Sequence, residues 1–88
     1  MMWIALLQNH AMGPTLGCGP SQEDAKMALV RGYCAAIKGS GGAWHDPAGA
    51  MKGSLLEAFD RLHDYHGVRV QEVQMLACYD LDYGRRIV

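Results

Sequence analysis

The chain has 88 residues, half of them hydrophobic and 19% charged, with a net charge of −1, which is room for one domain with a small core and too apolar for a disordered chain. The charge is uneven: Asp46, Glu57, Asp60, Asp64, Glu72, Asp80 and Asp82 all lie in residues 39–82, against Lys52, Arg61 and Arg69. No basic stripe that could displace counterions is present, so direct nucleic-acid binding is excluded and a protein partner with basic surfaces is favoured.

In chain order, MWIALLQ (residues 2–8) is an apolar run bounded by Gln8-Asn9-His10, and its length predicts a strand with at least one buried face. The opening MMWIALLQNH has no basic n-region and no long apolar run, so neither a signal peptide nor a membrane span is expected. Cys18, Cys34 and Cys78 are odd in number and lack a C-x-x-C, which argues against a disulfide framework and for a reducing, cytoplasmic setting. Gly13-Pro14 marks a turn, and Thr15-Leu16-Gly17-Cys18 is a short second strand that can pair back as a hairpin of undefined register.

Pro20-Ser21 opens the first helix, with Ser21 as cap and Glu23 and Asp24 in the first turn, where the helix dipole favours negative charge. Ala25, Ala28, Leu29, Gly32, Tyr33, Ala36 and Ile37 form one apolar stripe whose small residues predict close approach to a neighbour. A glycine-rich connector follows, KGSGGAWHDPAG (38–49). The second helix has two candidate starts, Asp46-Pro47 and the capping box Ser54-Leu55-Leu56-Glu57; Gly49 and Gly53 favour the later one. Its buried stripe is Leu55, Ala58, Phe59, Leu62 and Tyr65 or His66, and its wet face carries Glu57, Asp60, Arg61 and Asp64. Gly67 ends it. Val68 to Tyr79 reads as the strongest strand, with a change of phase at Gln71-Glu72 that predicts a bulge or a start near Val73. Asp82-Tyr83-Gly84 is a turn, and Arg85 to Val88 a tail or short edge strand. The order β-β-α-α-β predicts an α+β fold, a single domain over residues 1–88, with an antiparallel sheet of about three strands and both helices on one face.

The chemical motifs are thin. TLGCGPSQEDA sets a G-x-G between a strand and a helix, but Gln22 stands where a third glycine belongs, and Glu23 and Asp24 occupy the place of a phosphate. No cofactor is therefore expected. His63 and His66 are spaced to share a metal only if Cys18, Cys34 or Asp46 joins them, and a closed zinc site normally shows two close pairs. Cys18, between two glycines near a helix start, is the best thiol nucleophile, with His10 or His45 as the base it would need; Cys34 and Cys78 read as small core hydrophobes. Asp60 and Asp64 share a helix face at i, i+4 without apolar surroundings that would raise a carboxyl pKa, so they read as surface carboxylates rather than acid–base catalysts. Trp44 and His45 interrupt the connector. A tryptophan there is either a lid on the core or an interface residue.

MMWIALLQNH, the turn, SQEDAKMALVRGYCAAI and the later HGVRVQEVQM are together similar to a plan found in small phage- and prophage-encoded accessory proteins: a hydrophobic strand, a His-containing hairpin and an acidic-capped helix. Some small α+β proteins of that kind act as anti-CRISPR inhibitors, so the resemblance implies stoichiometric binding to a nuclease or surveillance complex without catalysis. The expected function is a non-catalytic protein-binding module, with Trp44, His45, Glu57, Asp60 and Asp64 as partner-binding residues. The alternatives are a small metal- or thiol-dependent enzyme using His63, His66 and Cys18, and a homodimer formed through an uncovered sheet edge or face.

Overall fold

The computed structural model describes residues 2–74, 76–80 and 82–88, and its elements follow the expected order. They are β1 (Met2–Leu7), β2 (Thr15–Gly19), α1 (Gln22–Gly39), α2 (Leu55–His66) and β3 (Val68–Val73). The sheet is antiparallel in the order β2-β1-β3, with Ile4 opposite Cys18 on one side and Gln71 on the other. The most apolar strand is the central one, since only there are both edges paired and both faces open to burial.

Period-two alternation sends Ala5, Leu7 and Val68 towards the helices, where they join Ala25, Leu29, Val30, Tyr33, Phe59 and Leu62 in the core. The small residues of α1 permit the close approach that the sequence predicts. The strand side supplies a glycine: a Cβ on Gly17 would overlap backbone atoms of Ala25 and Leu29. Because α1 packs against the sheet and against α2, its buried arc takes in Val30 and leaves Gly32 exposed, a correction to the expected stripe.

β3 is shorter than Val68–Tyr79, ends at Val73 and contains no bulge; its register against β1 is continuous from Val68 opposite Leu7 to Val73 opposite Met2. Both phases of the strand find cover, which is why the hydrophobic pattern changes phase without a break. Val68 faces the helices, whereas Val73 and its face-mate Leu6 are buried on the other side. There Arg69 Nη1 donates to the Asp82 carbonyl (2.7 Å) and Gln71 Nε2 to the Gly84 carbonyl (2.8 Å), holding the returning C-terminal segment. That segment is a hairpin of its own, with a Tyr79–Arg86 bridge and Asp80 N–H donating to the Arg85 carbonyl (2.7 Å). Leu76, in the left-handed region at φ 59°, lies where the chain leaves the β3 direction.

α2 starts at the later of its two candidate caps. Ser54 Oγ accepts from Glu57 N–H (3.2 Å) and donates to Glu57 Oε1 (3.0 Å). Asp46 instead serves the connector, accepting from Tyr33 Oη–H (2.9 Å) and Met51 N–H (3.1 Å). Ser54→Ala is expected to cost about 1 kcal/mol, read as a thermal midpoint lower by roughly 4–8 °C. An unchanged midpoint would show that tertiary packing alone sets the start of α2. Gly67 adopts φ 77°, donates its N–H to the His63 carbonyl (2.9 Å), and hands the chain to β3 at once. Among the described residues, no helix is long and apolar enough to cross a membrane.

Candidate partner-binding surface

α2 buries Ala58, Phe59 and Leu62, so its opposite face projects as a ridge carrying Glu57, Asp60, Arg61 and Asp64. The carboxylates differ in what they are free to do. Glu57 is held by the Ser54 hydroxyl. Asp60 and Asp64 are exposed and lie one turn apart; among the described residues neither has a cation within 4 Å, and the ion pair seen is Arg85–Asp80 (3.4 Å). Arg61 donates to the carbonyls of Gly49 (3.2 Å) and Lys52 rather than to a carboxylate. The ridge therefore keeps its negative charge, and the arginine pins the connector.

A depression lies on each flank of the ridge. On one side, a groove of about 370 Å³ is lined by Phe59, Val68 and Val70 below and by Gln22, Lys26, Asp60 and His63 around the rim. Lys26 Nζ lies 5.0 Å from the centre of the Phe59 ring. On the other side, Pro47, Ala48, Arg61, Asp64 and Tyr65 line a hollow of about 250 Å³. Pro47 also borders a third hollow, with Asn9, His10, Trp44, His45 and His66. Asp64 thus shares a side of α2 with Trp44 and His45, and Asp60 opens onto the other.

Trp44 is 37% exposed: its ring is neither a sealed lid nor a free side chain. The connector is organised by local bonds, Ser40 Oγ donating to the Ile37 carbonyl (2.7 Å) and accepting from Trp44 N–H (3.3 Å). His45 contributes its carbonyl, which accepts from His10 Nε2 (3.1 Å), because His10 Nδ1 is already accepting from Met12 N–H (3.2 Å). His10 meets His66 at 5.1 Å and Tyr33 at 5.4 Å, both edge-on. The β1–β2 turn, the connector and the end of α2 are in this way tied together by imidazoles.

The residues of the metal or thiol reading are not brought together. His63 Nδ1 accepts from Val68 N–H (3.1 Å) at the start of β3, and His66 Nδ1 pairs with the Asn9 carbonyl (3.1 Å). Cys18 lies on the face of β2 turned away from both helices, as its register opposite Ile4 requires. Among the described residues, no three metal-ligating side chains converge. Cys34 is half-buried, and burial followed by the charge of Asp46 pushes its thiol pKa up, with Lys38 opposing; that disfavours the thiolate. Cys78 is exposed rather than part of the core, since β3 stops before reaching it. Tyr79 is half-buried with its hydroxyl accepting from Gln74 N–H (3.0 Å), whereas Tyr83 is exposed.

The chain matches no known protein family, no curated protein and no solved structure. Its surface is therefore read from its own geometry. Lys26, Phe59 and Val70 line the groove beside the ridge, Glu72 follows Val70 on the same face of β3, and none of them stands out in the sequence. Phe59 and Val70 look there like ordinary core positions, and Glu72 like the polar phase of a strand; only the alternation linking Val68, Val70 and Glu72 places them on one face.

Proposed function

We propose that this chain is a non-catalytic, cytoplasmic protein-binding module that docks the acidic ridge of α2 onto a basic surface of a bacterial host or defence complex. A nuclease or a CRISPR-type surveillance complex fits that description, since its nucleic-acid channel is necessarily basic. The observation that carries the reading is the pair Asp60 and Asp64, exposed and without an internal cation among the described residues. Uncompensated carboxylates repel each other and contribute nothing to folding, but they steer and align a positively charged partner. Trp44, with His45, and the 61%-exposed Tyr65 add aromatic area on the Asp64 side of the ridge.

The test is capture from bacterial lysates, including cells that express CRISPR effectors, at low and high salt. A stoichiometric partner is expected with the native chain, to be lost with Asp60→Lys/Asp64→Lys and weakened about tenfold or more with Trp44→Ala. A partner held equally well by the charge-reversed double variant would refute the ridge as its docking surface.

A further inference from the structure

The two outer strands of the sheet leave different edges. β2 is five residues long and is closed at both ends by Pro14 and Pro20, an arrangement that blunts an edge. β3 has six residues and no proline. Its first residue is turned outwards, because Val68 N–H bonds to His63 Nδ1 rather than to β1. In an antiparallel ladder the pairing direction alternates, so the N–H and C=O groups of Val70 and Glu72 point away from β1 as well. The C-terminal hairpin reaches β3 through the side chains of Arg69 and Gln71; among the described residues it makes no backbone bond to Val70 or Glu72.

That open edge borders the groove between α1 and α2. Val68 and Val70 form the strand's contribution to the groove wall, and Phe59 the helix's. Glu72 follows Val70 on the same face, and Asp60 stands on the rim, with Asp64 one turn further along α2. Against Asp60 and Glu72 the groove sets the ammonium of Lys26, which is drawn over the Phe59 ring.

We infer that β3 accepts an extended basic segment of the partner protein as a fourth strand. This rests on the protein-binding reading and states how the partner is held. The added strand bonds to the outward N–H and C=O groups of Val70 and Glu72. Its alternate side chains enter the groove, an apolar one against Phe59 and Val70 and a lysine or arginine beside Asp60 and Glu72. Main-chain bonds supply affinity, and the carboxylates of Asp60 and Glu72 select the sequence.

The experiment is selection of random dodecapeptides against the native chain, followed by binding measurements on the enriched peptides. Enriched peptides are expected to carry lysine or arginine at alternate positions and to shift the amide resonances of Val70 and Glu72. N-methylation of every second residue should weaken binding at least tenfold in one phase and leave the other phase nearly unaffected. Asp60→Lys and Glu72→Lys, both at exposed positions, should each weaken it about tenfold. Absence of enrichment, acidic or aperiodic peptides, or equal tolerance of both N-methylation phases would overturn the inference. So would sedimentation as a dimer with the β3 edge protected from exchange, which would make the occupant a second copy. If a lysate partner depends on Asp60 and Asp64 while N-methylation is without effect, strand addition fails and the binding module stands.

Discussion

Gly17→Ala is expected to destabilise the protein by about 3 kcal/mol, lowering the thermal midpoint by roughly 15 °C. The reason is the absence of anything that can yield. A Cβ at residue 17 would overlap Leu29 N and Ala25 O, which are backbone atoms of α1, so the helix would have to lift from β2 along its length. A domain of this size holds only about 5–10 kcal/mol in total, so the loss is a large share. Gly19 is a similar but less crowded position, since its added carbon would meet Asp24 Cβ at 2.6 Å and the backbone of Asp24 and Ala25 only at 3.1 Å. Gly32 is the opposite case: it is exposed in the middle of α1 with nothing within 4 Å. Gly32→Ala should therefore gain about 0.8 kcal/mol from helix propensity. Urea or thermal unfolding followed by circular dichroism measures both, and shifts of the same sign would show that β2 and α1 are not packed as described.

Tyr33 carries the second large effect. It is fully buried and is the bulkiest side chain of the core to be so, and its hydroxyl donates to Asp46 at 2.9 Å. Tyr33→Ala is expected to cost about 3–5 kcal/mol by leaving a cavity and freeing the connector. Tyr33→Phe keeps the ring and should cost about 1–2 kcal/mol for the bond to a charged acceptor. The same residue sets a pH dependence. Burial, then the hydrogen bond to Asp46 and its charge, raise the Tyr33 pKa well above the ordinary 10.0. Below about pH 10 both folded and unfolded chains hold the proton and the contribution is whole. Above it the unfolded chain releases the proton first, so stability falls as the pH rises towards the folded-state value. Cys34, raised from 9.0 by burial and then by Asp46, starts the same decline earlier. Urea titrations from pH 8 to 11 should show a shallower loss above pH 10 in Tyr33→Phe than in the native chain. Parallel curves would mean that folding does not raise the phenol's pKa, by burial or by Asp46.

The sequence carried whatever depends on neighbours a few residues away. Both serine caps, the acidic first turn of α1, the glycine that ends α2 and the turns around Gly13 and Gly84 are local hydrogen-bonding or dihedral requirements, and all stand where residue type places them. So does the element order, because periods of 3.6 and 2 are properties of short windows. The i, i+4 spacing likewise put Asp60 and Asp64 on one wet face of α2.

Only the tertiary structure could decide which apolar phase of β3 faces what. The sequence has no sign of the C-terminal segment held on the far side of the sheet, so its pattern puts Val73 out of phase and runs the strand on to Tyr79. Nor does the sequence say why residue 17 is a glycine; the reason is α1 lying against it. The groove is the extreme case: Gln22, Phe59 and Val70 come from α1, α2 and β3, and no window of sequence holds them together. Local structure follows from adjacent residues, but a surface is made by chain reversals, and those depend on which faces are left to bury.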